Sequence, residues 1–371
     1  MKYYLIAGES SGDLHGSNLI KNLKTHDPDA YFRYFGGDLM KKEGGELAFH
    51  YKNMSFFGIW EILKNLNTIN RTMDICRKDM LEYKPDVLIL IDYPGFNLKM
   101  AEFAHQHHIK TLYYIAPKVW ASRRWRIKRI RQSVDKLYVI LPFEEKYFSS
   151  RGILTEYNGN PLTDAIAAYK PVHENQFRKN NQLSNRPIIA LLAGSRKTEI
   201  RHCLPEMLKA TEEFTGTFEL VLAGAPAISP QYYQKFLERS AVKLVFNQTY
   251  DLLNCAKAAL VVSGTATLET ALLKVPEAVF YKFSLITYII GKPFVHIRFF
   301  SLVNIIMNHE IVKELLQFNL SKKLNHELKQ LLYHEQYRNK MLENFDELIN
   351  IVGKAGTSER VAKSMYEYLK Q

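Results

Sequence analysis

One phrase recurs along this chain and restricts its fold more than any other feature. A short apolar, β-prone run stops at a glycine or polar turn, and a helical pattern follows. Residues 3–7 stop at Gly8, and Leu14, Leu19, Ile20 and Leu23 then fall at helical spacing. Residues 31–35 end at Gly36, and residues 85–92 carry a continuous apolar run, 87–91, that stops at Asp92. Residues 111–116 end at Pro117, and residues 137–141 and 154–157 follow. The phrase resumes at 187–193, 218–223, 242–246 and 259–262. Strands separated by helices pair in parallel, and an all-apolar run suits a parallel strand covered on both faces. The pattern therefore predicts an α/β fold. Residues 170–186 are polar, charged and without apolar periodicity, which marks a boundary. The expected domains are 1–170 and 186–351, with a C-terminal helix, about 352–371, packing back on the first.

The turns carry the chemistry. Gly8, Gly12 and Gly16 space the first one, and glycine lets backbone approach a ligand closely. The spacing is not that of a dinucleotide loop, and Glu9 stands where a diphosphate would sit, which argues against NAD. Asp92 ends a central parallel strand, where α/β folds bind ligands. It either caps the next helix or, with Asn97 as the cap, is free for chemistry. In the second half Gly194-Ser195-Arg196 precedes a helix, and Ser263-Gly264-Thr265-Ala266-Thr267 precedes another. Helix N-termini offer unpaired N–H groups to anions, and Arg196 adds a guanidinium. Glu269, one turn in, suits a ribose diol or the helix dipole. These features point to a nucleotide or phosphate ligand in the second domain.

The net charge of +12 calls for an anionic partner: nucleic acid, a phosphorylated metabolite or an anionic lipid surface. Six of the nine residues 123–131 are cationic, with Trp120 and Trp125 alongside. Ile127, Ile130 and Val134 give that stretch an apolar side, so it reads as a helix on the domain. Phe56, Ile59, Trp60, Leu63 and Leu66 share one helical face, widened by Phe57 and Ile62; such a face serves a core or a lipid surface. Residues 283–307 hold only Lys292 and Arg298 as charges and form a second candidate lipid contact. Cys76, Cys203 and Cys255 have no metal-ligand spacing, and a disulfide framework is not expected. His105, His107 and His108 lack a second ligand group. The N-terminal apolar run is too short for a signal peptide, and no uninterrupted apolar stretch spans a bilayer, so a cytoplasmic protein is expected. Residues 309–371 read as amphipathic helices.

Seven motifs then converge in order: Gly8-Glu9-Ser10-Ser11-Gly12-Asp13, Ile91-Asp92-Tyr93-Pro94-Gly95-Phe96-Asn97, Ala116-Pro117-Lys118-Val119-Trp120, Leu141-Pro142-Phe143-Glu144, Gly194-Ser195-Arg196, Ser263 to Glu269, and Ser301-Leu302-Val303-Asn304. In these the chain resembles the lipid-A-disaccharide synthases, glycosyltransferases of lipopolysaccharide biosynthesis. The chain departs from the family's usual residues at Ser10 (alanine), Ala116 and Lys118 (serines), Ser122 (tryptophan) and Asn160 (histidine).

The resemblance implies a GT-B arrangement of two Rossmann-like domains whose parallel sheets face a cleft. It implies a metal-independent, cofactor-free inverting transfer. UDP-2,3-diacylglucosamine and 2,3-diacylglucosamine 1-phosphate would give a β(1→6) disaccharide 1-phosphate and UDP. On that reading Asp92 is the general base, with Glu9 as competitor or acceptor-orienting acid. Gly194, Ser195, Arg196, Gly264, Thr265 and Ala266 hold the diphosphate, Arg196 supporting the leaving group. Glu269 binds the ribose, Asn304 lies near UDP, and Ser11, Gly12 and Asp13 line the acceptor side. Phe56, Phe57, Ile59, Trp60 and Leu63 contact the membrane, and residues 123–131 meet anionic head groups on the cytoplasmic face of the inner membrane. No nucleic acid is expected as partner, and a homodimer is. Two rivals remain: a UDP-sugar epimerase of the same two-domain fold, and a non-enzymatic basic membrane-binding protein.

Overall fold

In a computed structural model the described residues are 1–54, 66–284 and 298–371. The chain divides into two units, residues 1–164 with 352–371, and residues 165–351. The expected lipid-contact helix with Phe56, Phe57, Ile59, Trp60 and Leu63 lies outside the described residues.

The first unit is built on strands β1 (Lys2–Ala7), β2 (Tyr31–Gly36), β3 (Glu46–His50), β4 (Val87–Ile91), β5 (Lys110–Tyr114), β6 (Lys136–Val139) and β7 (Thr155–Tyr157). Every pairing is parallel, and the order is β3-β2-β1-β4-β5-β6-β7. β1 shows why both faces need helices. Tyr4 and Ile6 enter one core with Leu88 and Leu90, while Tyr3, Leu5 and Ala7 enter the other with Ile89 and Ile91. Burying each such side chain is worth roughly 1.5–3 kcal/mol, so strand and helices stabilise each other. The C-terminal helix Thr357–Lys370 belongs to this unit, adding Val361, Ala362 and Met365 to the core of Leu19, Ile20 and Leu23. Asp164 accepts the N–H groups of Gly356, Thr357 and Ser358 at 2.6, 2.9 and 2.8 Å, which satisfies donors that the helix start leaves orphaned.

The second unit carries β8 (Ile188–Leu192), β9 (Glu219–Gly224), β10 (Lys243–Phe246), β11 (Ala256–Val262), β12 (Glu277–Tyr281) and β13 (Lys313–Leu316). These are again parallel, in the order β10-β9-β8-β11-β12-β13.

Three elements differ from expectation. Residues 170–186 are not a bare linker: Glu174–Asn180 is a helix of the second unit, anchored by buried Phe177, with Arg178 holding the carbonyls of Ser184 and Arg186. One apolar anchor leaves no periodicity to read. β13 lies in a stretch expected to be helical throughout, and four residues at a sheet edge are too few for a period. The opening helix begins at Ser10, so Ser11, Gly12 and Asp13 sit inside it.

Candidate active site

A doubly wound sheet binds ligands where its strand order reverses, because the helices that follow the two central strands diverge there. In the first unit that place is between β1 and β4, whose ends pair Ala7 with Ile91. Glu9 and Asp92 therefore leave the sheet side by side. Glu9 is the residue before the first helix, with φ −145° and its side chain not capping it; burial first, and then the Glu9 charge, push the Tyr93 hydroxyl upward.

Asp92 and Tyr93 both take left-handed backbone, at φ +46° and +47°. Consecutive residues of this kind are strained and hold only where neighbours impose them. Here Asn97, inside the helix Pro94–Gln106, donates to the carbonyls of Ile91 and Asp92 at 3.2 and 2.7 Å. The Tyr113 hydroxyl donates to the same Asp92 carbonyl at 2.5 Å. Neither Asp92 nor Asn97 caps that helix, whose N-cap is Tyr93 without a side-chain bond. The Asp92 carboxyl is raised above the usual carboxylate range by burial, against the pull of Lys118 and the Tyr93 N–H. A carboxylate kept basic in this way suits proton abstraction.

Other expectations for this edge change. The glycines serve internal packing: a Cβ on Gly8 would lie 2.2 Å from the Tyr93 ring, and one on Gly16 would lie 2.7 Å from Met40 Sδ. Gly12 packs on Ala7, where a Cβ would come within 3.2 Å. Asp13 is buried, and its carboxylate accepts the N–H groups of Gly37, Leu39 and Met40 at 2.8, 3.0 and 3.0 Å. It fastens the loop after β2 and is not an acceptor contact. Ser11 is exposed.

Sequence reasoning assigned no role to Glu144, although it lies in a quoted motif. It is buried, accepts Trp120 Nε1–H at 2.8 Å and Leu141 N–H at 3.1 Å, and is pushed up to about 7 by burial. Lys118 acts on both Glu144 and Asp92. The same bonds tie the segment after β5 to the helix Pro142–Ser149, which lets Lys118 and Trp120 hold their places.

In the second unit the order reverses between β8 and β11, paired at Leu192 and Val261. The two expected anion turns follow these strands, so they too are neighbours. They are not equivalent. Ser195 and Arg196 already donate their backbone N–H groups to Glu199 Oε2, at 2.9 and 3.2 Å. A diphosphate reaches those donors only if Glu199 moves; the exposed Arg196 guanidinium, 3.6 Å from Glu199, is what this turn offers. Gly264 and Thr265 are exposed at the start of the helix Thr265–Leu272, with Ala266 half-buried. Among the described residues a Cβ on Gly264 would meet only the Val262 carbonyl, at 3.9 Å, so they leave the space at this helix start open. Ser263 is turned away, donating to the Phe300 carbonyl at 2.8 Å.

Glu269 is raised by burial and accepts the Tyr250 hydroxyl on Oε1 at 2.7 Å, which orients it. Asn304 is fully buried and consumed: it donates to Val312 O and Glu314 Oε1, both at 2.9 Å, and accepts Ile311 and Val312 N–H at 2.8 and 3.1 Å. It shapes the loop before β13 and has no bond to spare for UDP. Its helix, Leu302–Met307, buries Leu302, Val303, Ile306 and Met307, so this part of the apolar 283–307 stretch is core. Residues 285–297 lie outside the described residues. Among the described residues no group of three His, Cys, Asp or Glu side chains is placed to hold a metal, and no helix is long and apolar enough to cross a membrane.

Residues 3–363 match the family model described as Lipid-A-disaccharide synthetase. A lipid-A-disaccharide synthase of Syntrophus aciditrophicus is 36% identical, covering 96% of this chain and 95% of its own. One of Myxococcus xanthus is 34% identical over 98% and 97%. Among solved structures, the UDP-GlcNAc 2-epimerase of Neisseria meningitidis bound to UDP-GlcNAc matches with a TM-score of 0.67 at 14% identity, covering 99% of this chain and all of that one. The S. aureus MnaA–UDP complex gives 0.69 at 15% identity, over 100% and 97%. At such identities the two structures share the fold, of GT-B type, and no more. With a sequence match over nearly its whole length, the chain belongs to the lipid-A-disaccharide synthase family of glycosyltransferases.

Proposed function

We propose that this enzyme joins UDP-2,3-diacylglucosamine to 2,3-diacylglucosamine 1-phosphate, giving the β(1→6) disaccharide 1-phosphate and UDP with inversion. The observation that carries the reading is Asp92, set by a strained turn at the β1–β4 switch point with its carboxyl raised by burial. The acceptor 6-hydroxyl attacks the anomeric carbon of the donor and its proton passes to Asp92. The bond from that carbon to the diphosphate breaks, and its electron pair leaves with UDP. Glu9 orients the acceptor from the neighbouring strand end. The Gly264–Thr265 helix start and the Arg196 guanidinium hold the diphosphate, stabilising charge where it grows. Glu269 holds the ribose.

The substrates are acylated, so the enzyme works at the cytoplasmic face of the inner membrane, held by the apolar face of residues 56–66 and by the cations of 123–131. Binding to anionic vesicles then weakens with salt; equal partitioning onto neutral vesicles removes the electrostatic half of this reading. The decisive experiment supplies both acylated sugars and follows UDP and disaccharide, expected in equal amounts. Consumption of a UDP-sugar without acceptor would instead favour an epimerase.

A further inference from the structure

The cations of residues 123–131 do not behave as one solvated face. Arg129 is neutralised by Glu102, which accepts its Nη2 at 2.6 Å. Arg126 has no such partner among the described residues. Its Nε is buried without a hydrogen bond, and it is lowered by burial and then by the neighbouring charges of Arg123 and Arg129. Its guanidinium carbon lies 5.6 Å from the Trp125 ring centroid, which covers one side of the cation without neutralising it. Arg123, exposed, takes left-handed backbone at φ +55° at the turn into the helix Arg126–Ser133. Like charges crowded together with a buried donor left open are costly unless an anion completes the set.

The position of this cluster says which anion. Arg126 acts on Tyr113, whose hydroxyl donates to the Asp92 carbonyl. Lys118, also at the end of β5, acts on Asp92 itself. The cations therefore stand one strand over from the base. In the acceptor the 6-hydroxyl and the anomeric phosphate lie on opposite sides of one sugar ring. A phosphomonoester carries about −1.5 to −2 charges at neutral pH and suits bidentate guanidinium contacts.

We propose that Arg126, with Arg123 beside it, binds the phosphomonoester of the acceptor and so turns the 6-hydroxyl towards Asp92, which leaves Arg124, Lys128 and Arg131 of the same stretch to membrane head groups. This rests on the glycosyl-transfer reading above. A phospholipid head group offers the same chemistry, so the test separates the two sources.

The test compares the wild-type enzyme with Arg126→Gln and Arg123→Gln, singly and together; Arg123 is exposed, so its replacement leaves the core intact. Transfer is measured to the acceptor with and without its phosphate. The wild type is expected to prefer the phosphorylated acceptor, and the double variant to lose roughly 10- to 100-fold of that preference in kcat/KM, the range of charged hydrogen bonds, with the donor KM unchanged. In parallel, glucosamine 1-phosphate and glucosamine are titrated without donor, read by tryptophan fluorescence. Phosphate-dependent binding lost in the variants, without any transfer by wild type, would sustain the site and sink the transferase reading. A preference for phosphate that survives in the double variant overturns the proposal. So does a variant that loses only its binding to phosphatidylglycerol vesicles, since the cluster would then serve head groups.

Discussion

The two sheets reverse their strand order at equivalent places, between β1 and β4 and between β8 and β11, yet the edges hold opposite chemistry. The first presents carboxylates, Glu9 and Asp92, with cations one strand away. The second presents an open helix start after Gly264 and an arginine after Gly194. The same topology gathers side chains at one edge in both, and the side chains then decide what is bound. Glycine makes the difference plain. The space at Gly8 is filled from within by the Tyr93 ring, whereas a Cβ at Gly264 would meet only the Val262 carbonyl among the described residues, at 3.9 Å.

The comparison breaks first at Asp92. Asp92→Asn is expected to slow transfer by ~10²–10⁴-fold while UDP binding persists, the loss ordinary for a general base. Near-wild-type turnover would move the role to Glu9. Because burial raises Asp92, the acid limb of the kcat/KM profile should lie above the pH of an ordinary carboxylate and vanish in the variant.

Glu144 tests whether the first edge is tuned by burial. Its folded value of about 7 lies above the ordinary 4.5, so the folded state holds the proton more tightly than the unfolded one. That contribution is complete below pH 4.5 and is lost as pH rises through 7, about 3 kcal/mol in all. In urea titrations across that range Glu144→Gln should flatten this component. A slope identical to wild type would show that the carboxyl is not held out of water.

Two glycine variants probe the second edge. Gly194→Ala meets both φ +93° and Glu199 Oε2 at 2.6 Å, and should cost about 1–2 kcal/mol of stability. Gly264→Val should leave stability unchanged and weaken UDP about tenfold, or ~1.4 kcal/mol, by covering the helix start. If UDP binds Gly264→Val as tightly as wild type, the diphosphate lies elsewhere.

The smallest effect lies at the far end of β12. Both carboxyl oxygens of buried Glu277 lack partners among the described residues, and burial alone raises it well above its ordinary range. Glu277→Met should raise Tm, gaining about 1 kcal/mol by removing an unsatisfied polar group. A fall in Tm would mean that the carboxyl has a role there.

Much of this protein was legible from local pattern. β1, β4, β5, β8 and β11 announce themselves as apolar runs because buried parallel strands tolerate little else. Asp92, Arg196 and Gly264 stand out in the sequence because they follow strand ends and open helices, and Glu269 because it lies one turn into one of those helices. What failed to show depended on partners distant in sequence. Asp13 reads as a free acid until the loop at Gly37 arrives to use it. Asn304 reads as a contact until Val312 and Glu314 take its bonds. Glu199 carries no signal in the sequence, and only the folded turn shows it on the N–H groups of Ser195 and Arg196.

The sequence by itself determined the α/β architecture, the family and the kinds of group at each turn, because period, glycine and charge are local properties. Tertiary structure alone decided which of those groups stay available. Availability depends on who else reaches the same donor or carboxylate, and a hydrogen bond made inside the fold is one that a substrate cannot make.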